Sequence, residues 1–369
     1  MSHAQTNGQK PSSSTTHVTD RVLSSFKPTK TFNYHQQASI TSLDFDDSGQ
    51  YLISAGIDKS IQLYDIHKGS HQKDIQSQKY GAHLARFTHH ELNCLYASTP
   101  SSNNEVDNAI RCLSLADNQY IRYYKGHKGQ VTSIEVNPVQ NMFLSASLDY
   151  SVKLWDLKSS SPIGNIDIGQ QSVVSFDPQG IVFAVGKFPD HSGSSSFGSV
   201  SFYDVKNMEK GPFASVEVPV LAKQTWNKLE FSNNGKCLLI STDSPEHYLL
   251  DAFLGQLLTI LSTSQSLDEG WMSYKYPYTG TSTFSPCGKF LLIGSPQSTV
   301  LLFDLNSIKT TDGESHTVHA DDNPVRLQPF KVLNTSQGIA KNIAFNPKLL
   351  TFATADNTVS LWQPQDTVR

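Results

Sequence analysis

His89, His90 and Glu91 form a consecutive run of metal-type ligands in a chain of 369 residues. Imidazole and carboxylate donors suit a divalent transition metal. The geometry argues against one: the run falls in a polar turn between apolar segments, and neighbouring residues of an extended chain point to opposite faces. A solvated turn is the expected reading, and neither a metal nor another cofactor is expected. The four cysteines, Cys94, Cys112, Cys237 and Cys287, form no C-x-x-C pair. Each sits among apolar residues, as buried small hydrophobes in a reducing compartment do. The sequence has no H-E-x-x-H, no G-x-S-x-G, no glycine-rich phosphate loop and no G-x-G-x-x-G. Asp46, Asp47, Asp58 and Asp177 occupy turn positions that account for them. A hydrolase would need acids or histidines converging on one face. The catalytic residues are therefore expected to be none.

The elements that carry these residues repeat. SASLDYSVKLWD (145–156) reads as two short apolar strands around a turn at Asp149-Tyr150, and the same pattern recurs along the chain. Copies run over 43–65, 134–156, 174–204, 229–251, 282–304 and 343–362, with a weaker one at 85–115. Their anchors, Phe45, Phe87, Val136, Phe176, Phe231, Phe284 and Phe345, lie about 40 to 60 residues apart. That period, with three visible strands per unit, predicts an all-β, seven-bladed propeller, because radial stacking covers sheet faces that one small sheet leaves wet. Fourth strands are expected at Tyr120–Tyr124, Pro162–Ile168, Phe213–Val218, Gln256–Leu261 and Pro329–Leu333. HQKDIQSQ (71–78), after the first copy, reads as a poor strand. The seventh copy has no room for a fourth strand before Arg369, so residues 21–32, RVLSSFKPTKTF, are expected to close the ring as the outer strand of the last blade.

Composition agrees with such a chain. Charged residues make up 17% and apolar residues 37%, and the net charge is −4. The acidity and the lack of a continuous basic stripe count against direct nucleic-acid binding. No run reaches the roughly 18 apolar residues of a membrane span, and the first residues lack the apolar core of a signal peptide. Residues 1–20 are expected to be a disordered tail and 21–369 the propeller. An intracellular protein is expected, so the sequon at Asn334-Thr335-Ser336 carries no weight.

The pattern resembles WD-repeat proteins. That resemblance implies a buried network of His127, Ser145, Asp149 and Trp155 within the third blade, complete only there: the first blade keeps Asp58 with Tyr64 at the Trp position, and the seventh keeps Trp362 followed by Gln363. Asp149→Ala is expected to cost about 1–3 kcal/mol by stranding buried donors. More specific stretches, KYGAHLARFTHH (79–90), IRCLSLADNQYIRYYKGH (110–127), KGPFASVEV (210–218), LDAFLGQ (250–256) and FNPKLLTFATA (345–355), resemble the Swd-two family over nearly the whole chain after Asp20. The family's members are nuclear WD-repeat subunits shared by two assemblies. One is the COMPASS Set-domain histone H3 lysine methyltransferase complex. The other is the cleavage and polyadenylation factor with its phosphatase module, which acts in mRNA 3′-end processing and transcription termination. The resemblance implies a non-catalytic nuclear scaffold with those subunits as partners, and a link to the phosphorylated tail of RNA polymerase II. The residues 188–199 and 305–329 read as surface insertions beyond the family pattern.

In a propeller, the turns between blades and those between the second and third strands share one end of the ring. Lys59, Lys79, Tyr80, Lys125, Tyr150 and Lys341 fall in or near such turns, with Tyr124 beside Lys125; Arg86 and Arg111 flank strands of the second blade. Lys79-Tyr80, Tyr123-Tyr124-Lys125 and Tyr150 mix basic charge with aromatic rings, which suits an acidic or phosphorylated peptide. The partner-binding candidates are thus Lys59, Lys79, Tyr80, Arg86, Tyr124, Lys125, Tyr150 and Lys341.

Overall fold

A computed structural model describes residues 17–99, 107–187, 197–219, 224–263, 280–310, 325–335 and 338–365. These form seven sheets, one for each predicted repeat, antiparallel but for one added edge strand. Strands are lettered a to d within a blade, from the ring's axis outward. The third blade runs Val131–Val136, Met142–Ser147, Ser151–Asp156 and Pro162–Asp167. The stretch SASLDYSVKLWD (145–156) therefore supplies its b–c hairpin, in which Ser145 pairs with Lys153 and Phe143 with Trp155.

Why a ring forms is visible in the burial. The b strands are buried along almost their whole length, as in CLLIST of the fifth blade and FLLIGS of the sixth. A sheet with two apolar faces must be covered on both. Each of the seven apolar clusters among the described residues joins two neighbouring blades. Ile53, Ile61 and Leu63 of the first blade pack on Phe87, Cys94 and Tyr96 of the second. Phe32 and Leu361 of the seventh pack on Leu52 and Tyr64 of the first. Each such aliphatic or aromatic side chain contributes about 1.5–3 kcal/mol on burial.

The ring closes as expected. Phe26–Phe32 pairs antiparallel with Val359–Pro364, and Phe26 stacks on Phe352 at 5.1 Å. Ahead of it, Thr19 N-caps a one-turn helix, Asp20–Ser24, whose Val22 and Leu23 are buried between the sixth and seventh blades. The expected tail, 1–20, lies outside the described residues through position 16.

Three expectations need correction. HQKDIQSQ is a strand: Ser70–Gln76 forms the outer edge of the first blade. An outermost strand keeps one wet face, so a polar sequence serves, with Ile75 alone anchoring it inward. The Gln62 amide holds it in register, donating to Asp74 at 3.0 Å and meeting His71 at 2.7 Å. The insertion 188–199 is shorter than read, since Phe197 already begins the c strand Phe197–Asp204; 188–196 lie outside the described residues. Within 305–329, Val325–Leu327 adds a fifth, parallel strand to the outer edge of the fifth blade before the chain returns as Lys331–Asn334, the d strand of the sixth. Residues 311–324 lie outside the described residues.

Candidate partner-binding site

The WD-type network of the third blade assembles from a d–a turn, a b strand, a b–c turn and a c strand. His127 Nδ1 lies 3.0 Å from Asp149 Oδ2, and Nε2 lies 2.7 Å from Ser145 Oγ. Trp155 Nε1 donates to Ser145 Oγ at 2.8 Å. A carboxylate only accepts, so Nδ1 carries the proton and Nε2 accepts from Ser145, whose oxygen accepts from the indole. Burial lowers the pKa of His127 and outweighs the opposing pull of Asp149. Burial pushes Asp149 the other way, but hydrogen bonds from Ser151, the Lys128 amide and His127 hold its carboxyl well below the usual range. Ser145 is fully buried and engaged on both sides, so no substrate reaches it. The four side chains bond to one another inside the blade.

A second such network was not legible in the first blade. His35, 1% exposed, meets Asp58 at 3.0 Å through Nδ1 and Ser54 at 2.7 Å through Nε2, and Ser54 meets the Tyr64 hydroxyl at 3.2 Å. A phenol takes the place of the indole. The signal was the spacing: His35 precedes Ser54 by 19 and Asp58 by 23, against 18 and 22 from His127 to its partners. The seventh blade uses different chemistry. Trp362 donates to Thr354 Oγ1 at 2.9 Å, and its turn acid, Asp356, pairs with Lys341 at 2.9 Å. Lys341 is thereby committed to its own blade rather than presented to a partner.

The remaining candidates divide by side-chain direction. Tyr80 lies over the Arg111 guanidinium, 3.6 Å from ring centroid to Cζ, and Lys79 lies 4.9 Å from the same ring. Tyr123 approaches Arg111 at 5.6 Å, and Tyr120 sits 5.3 Å from Tyr123 and 6.3 Å from Tyr80. Arg111 is fully buried and held by Ser98, the Ala109 carbonyl and Asp107. The result is a cation–aromatic cluster on the rim of the second blade, with Lys79, Tyr120 and Tyr123 exposed. Lys125 is exposed in the next d–a turn, and Tyr150, 47% exposed, tops the b–c turn of the third blade with a left-handed φ of 63°. Lys59 is exposed, with φ 65°, and donates to the Gln78 carbonyl at 3.3 Å.

Tyr124 does not belong to this surface. It is 1% exposed, packs edge-on against Phe143 and Trp155, and donates to the Leu157 carbonyl at 3.0 Å. Tyr123 pairs with Arg111 and Tyr124 with Ile110, and neighbouring strand residues face opposite sides, so Tyr124 turns away from Arg111. A bulge brings Tyr120 to the Arg111 face: Tyr120 opposes Leu113 and Arg122 opposes Cys112, leaving Ile121 unpaired. Sequence reading missed Tyr120 because strict alternation excludes that grouping.

Known proteins resemble the chain over nearly its full length. The family model described as "WD domain, G-beta repeat" matches residues 26–65 and 118–156. Both segments begin near a d strand and end with the c strand of the next blade, so the N-terminal closing strand is itself a repeat element. "COMPASS component SWD2" of Saccharomyces cerevisiae is 34% identical over 342 residues, covering 92% of this chain and 96% of that protein. The chain belongs to the Swd2 family of WD-repeat proteins. "Set1 complex component swd2" of Schizosaccharomyces pombe is 33% identical, covering 94% and 99%. "WD repeat-containing protein 82" of Drosophila melanogaster is also 33% identical, covering 94% and 96%.

This Swd2-family ring places Arg86 on the central channel rather than on the rim. Its guanidinium reaches Asp44 and Glu135 at 3.5 Å each and the Ile134 carbonyl at 3.3 Å, tying the inner strands of three blades. Lys228 and Glu230 pair at 2.8 Å on the opposite wall of the same cavity, about 280 Å³ in volume. Burial pushes the Asp44 carboxyl up to about 6, against the pull of Arg86 and of the Phe87 amide. Arg86 is thus a member of a channel ion network. His89 is engaged as well, with Nδ1 2.7 Å from Asp47 and Nε2 2.7 Å from the Asn137 carbonyl, while His90 reaches the Glu91 carbonyl at 3.2 Å. Among the described residues no three metal-type ligands converge.

Proposed function

We propose that this chain is a non-catalytic scaffold subunit of a nuclear, Set1/COMPASS-type histone H3 lysine methyltransferase assembly, supporting histone methylation coupled to RNA polymerase II transcription. The observation that carries the reading is full-length similarity to two relatives named as COMPASS and Set1 complex components. Those names favour it over a role in the cleavage and polyadenylation factor. The fold supports it: a rigid ring with variable turns holds peptides of other subunits. The Set-domain subunit and its companions are the proposed partners. The gripping surface is Lys79, Tyr80, Tyr120, Tyr123, Lys125 and Tyr150, where cations beside exposed rings suit an acidic or phosphorylated segment, including the polymerase tail.

The test is affinity purification of the tagged chain from nuclear extract, read by mass spectrometry. Set-domain methyltransferase subunits are expected. Recovery of polyadenylation-factor and phosphatase subunits in their place would overturn the assignment. A companion Lys79→Glu/Lys125→Glu variant is expected to lose at least tenfold of the recovered partner at an unchanged melting temperature.

A further inference from the structure

The opposite end of the ring, formed by the a–b and c–d turns, carries a second surface. The three most exposed large apolar side chains among the described residues all lie there, on consecutive blades: Val139 at 63%, Phe213 at 63% and Phe253 at 70%. Beside Phe213 opens a cavity of about 570 Å³ floored by Ile181, Val182 and Val205.

The c–d turn that frames the cavity is braced. Met208 is buried against the third blade, where a Cβ on Gly164 would collide with its sulfur at 2.2 Å. Asp204 accepts from the Lys206 amide at 2.8 Å and from Asn207 Nδ2 at 2.7 Å. The Phe213 amide donates to the Phe202 carbonyl at 2.9 Å, which fixes the root of the exposed ring. A preorganised turn loses little entropy when it docks a ligand.

Charge selects the ligand. The turn aspartates at this end face backbone amides: Asp177 takes Ile181 and Val182, Asp204 takes Lys206, and Asp251 takes Phe253 and Leu254. Lys206 and Lys210 line the cavity together with one carboxylate, Asp204, and form no salt bridge among the described residues. We infer that this end of blades three to five docks a segment of a partner subunit in which a bulky apolar side chain, seated beside Phe213, is flanked by carboxylates that meet Lys206 and Lys210. The inference rests on the reading of the chain as an assembly subunit and assigns it a second contact, on the face away from the aromatic rim.

The experiment places p-benzoylphenylalanine at position 213 of the tagged full-length chain, irradiates the purified complex, and sequences the crosslinked peptide. The expected product is one segment of another subunit, carrying a bulky apolar residue and net negative charge within about ten residues of the crosslink. A Lys206→Glu/Lys210→Glu variant with an unchanged melt is expected to lower its yield at least fivefold. A crosslink to a basic or neutral segment, to a second copy of this chain or to the chain itself overturns the inference. Intact recovery of the complex without a crosslink does so too, and leaves the scaffold reading standing. Loss of every co-purifying subunit overturns both.

Discussion

Asp149→Ala tests the internal logic of the blades. The carboxylate accepts four hydrogen bonds: Ser151 Oγ and the Lys128 amide at 2.7 Å each, the Ser151 amide at 3.0 Å and His127 Nδ1 at 3.0 Å. Lys128 is exposed, so water replaces its acceptor. The Ser151 hydroxyl can rotate. That leaves the Ser151 amide without a partner and the His127 ring with only the longer, 3.3 Å contact to Ser151 Oγ, in a shielded site. Each stranded donor costs about 1–3 kcal/mol, so the loss is about 3 kcal/mol once partial water entry is allowed. At about 2.1 cal/mol/K per residue, the 369-residue chain has an unfolding entropy of roughly 0.8 kcal/mol/K, and the expected fall in Tm is about 4 °C. Differential scanning fluorimetry reads this directly. A double-mutant cycle with His127→Ala is expected to show coupling of about 1 kcal/mol or more, since both substitutions break the same bond. A Tm within 1 °C of the parent, or losses that simply add, would refute the reasoning.

Further predictions rest on the same geometry. Burial depresses His247 to about 4 from an ordinary value of 6.5, so its neutral form stabilises the fold above about pH 6.5 and that contribution is lost as pH falls towards 4. The full loss is about 3 kcal/mol, and His247→Gln, which can still accept from the Thr242 amide, should flatten the pH dependence of urea stability by up to one proton. Arg86→Leu should destabilise by about 3 kcal/mol at pH 7.5. Asp44 titrates near 6 even with Arg86 beside it and higher without it, so the deficit should shrink towards pH 5 as that carboxyl protonates; a pH-independent deficit would count against the channel network. Phe26→Ala, in a ring 2% exposed and stacked on Phe352, should cost about 3–5 kcal/mol and raise hydrogen exchange first in the seventh blade.

Strand periodicity made the blades legible, because period-2 burial and turn residues are local properties of the chain. The closing strand was legible by elimination, since Phe26–Phe32 had no other sheet to join. Side-chain destinations were harder to read. Tyr124 and Arg86 look like rim residues until the pairing of Tyr123 with Arg111 and the inner position of His83–Phe87 are known. The first blade's network escaped because Tyr64 replaces the expected indole and His35 stands apart from any Gly-His signature. The parallel strand Val325–Leu327 escaped because three residues carry no periodicity, and its pairing depends on where a neighbouring blade lies in space.

Joining the ring through its two ends has a consequence for biosynthesis. Thr29 bonds to the Leu361 carbonyl across a separation of 332 residues. At ribosomal rates of about 5–20 residues per second, Phe26–Phe32 waits roughly 20 to 60 s for its partner strand to be made. The first six blades can pair their own strands as they emerge, whereas the seventh cannot form before Val359–Pro364 leaves the ribosome tunnel. A product that stops short of that strand leaves Phe26 and Phe32 without the sheet that buries them, open to chaperones and proteases. Closure of the last blade thus waits on the last of its strands to be made.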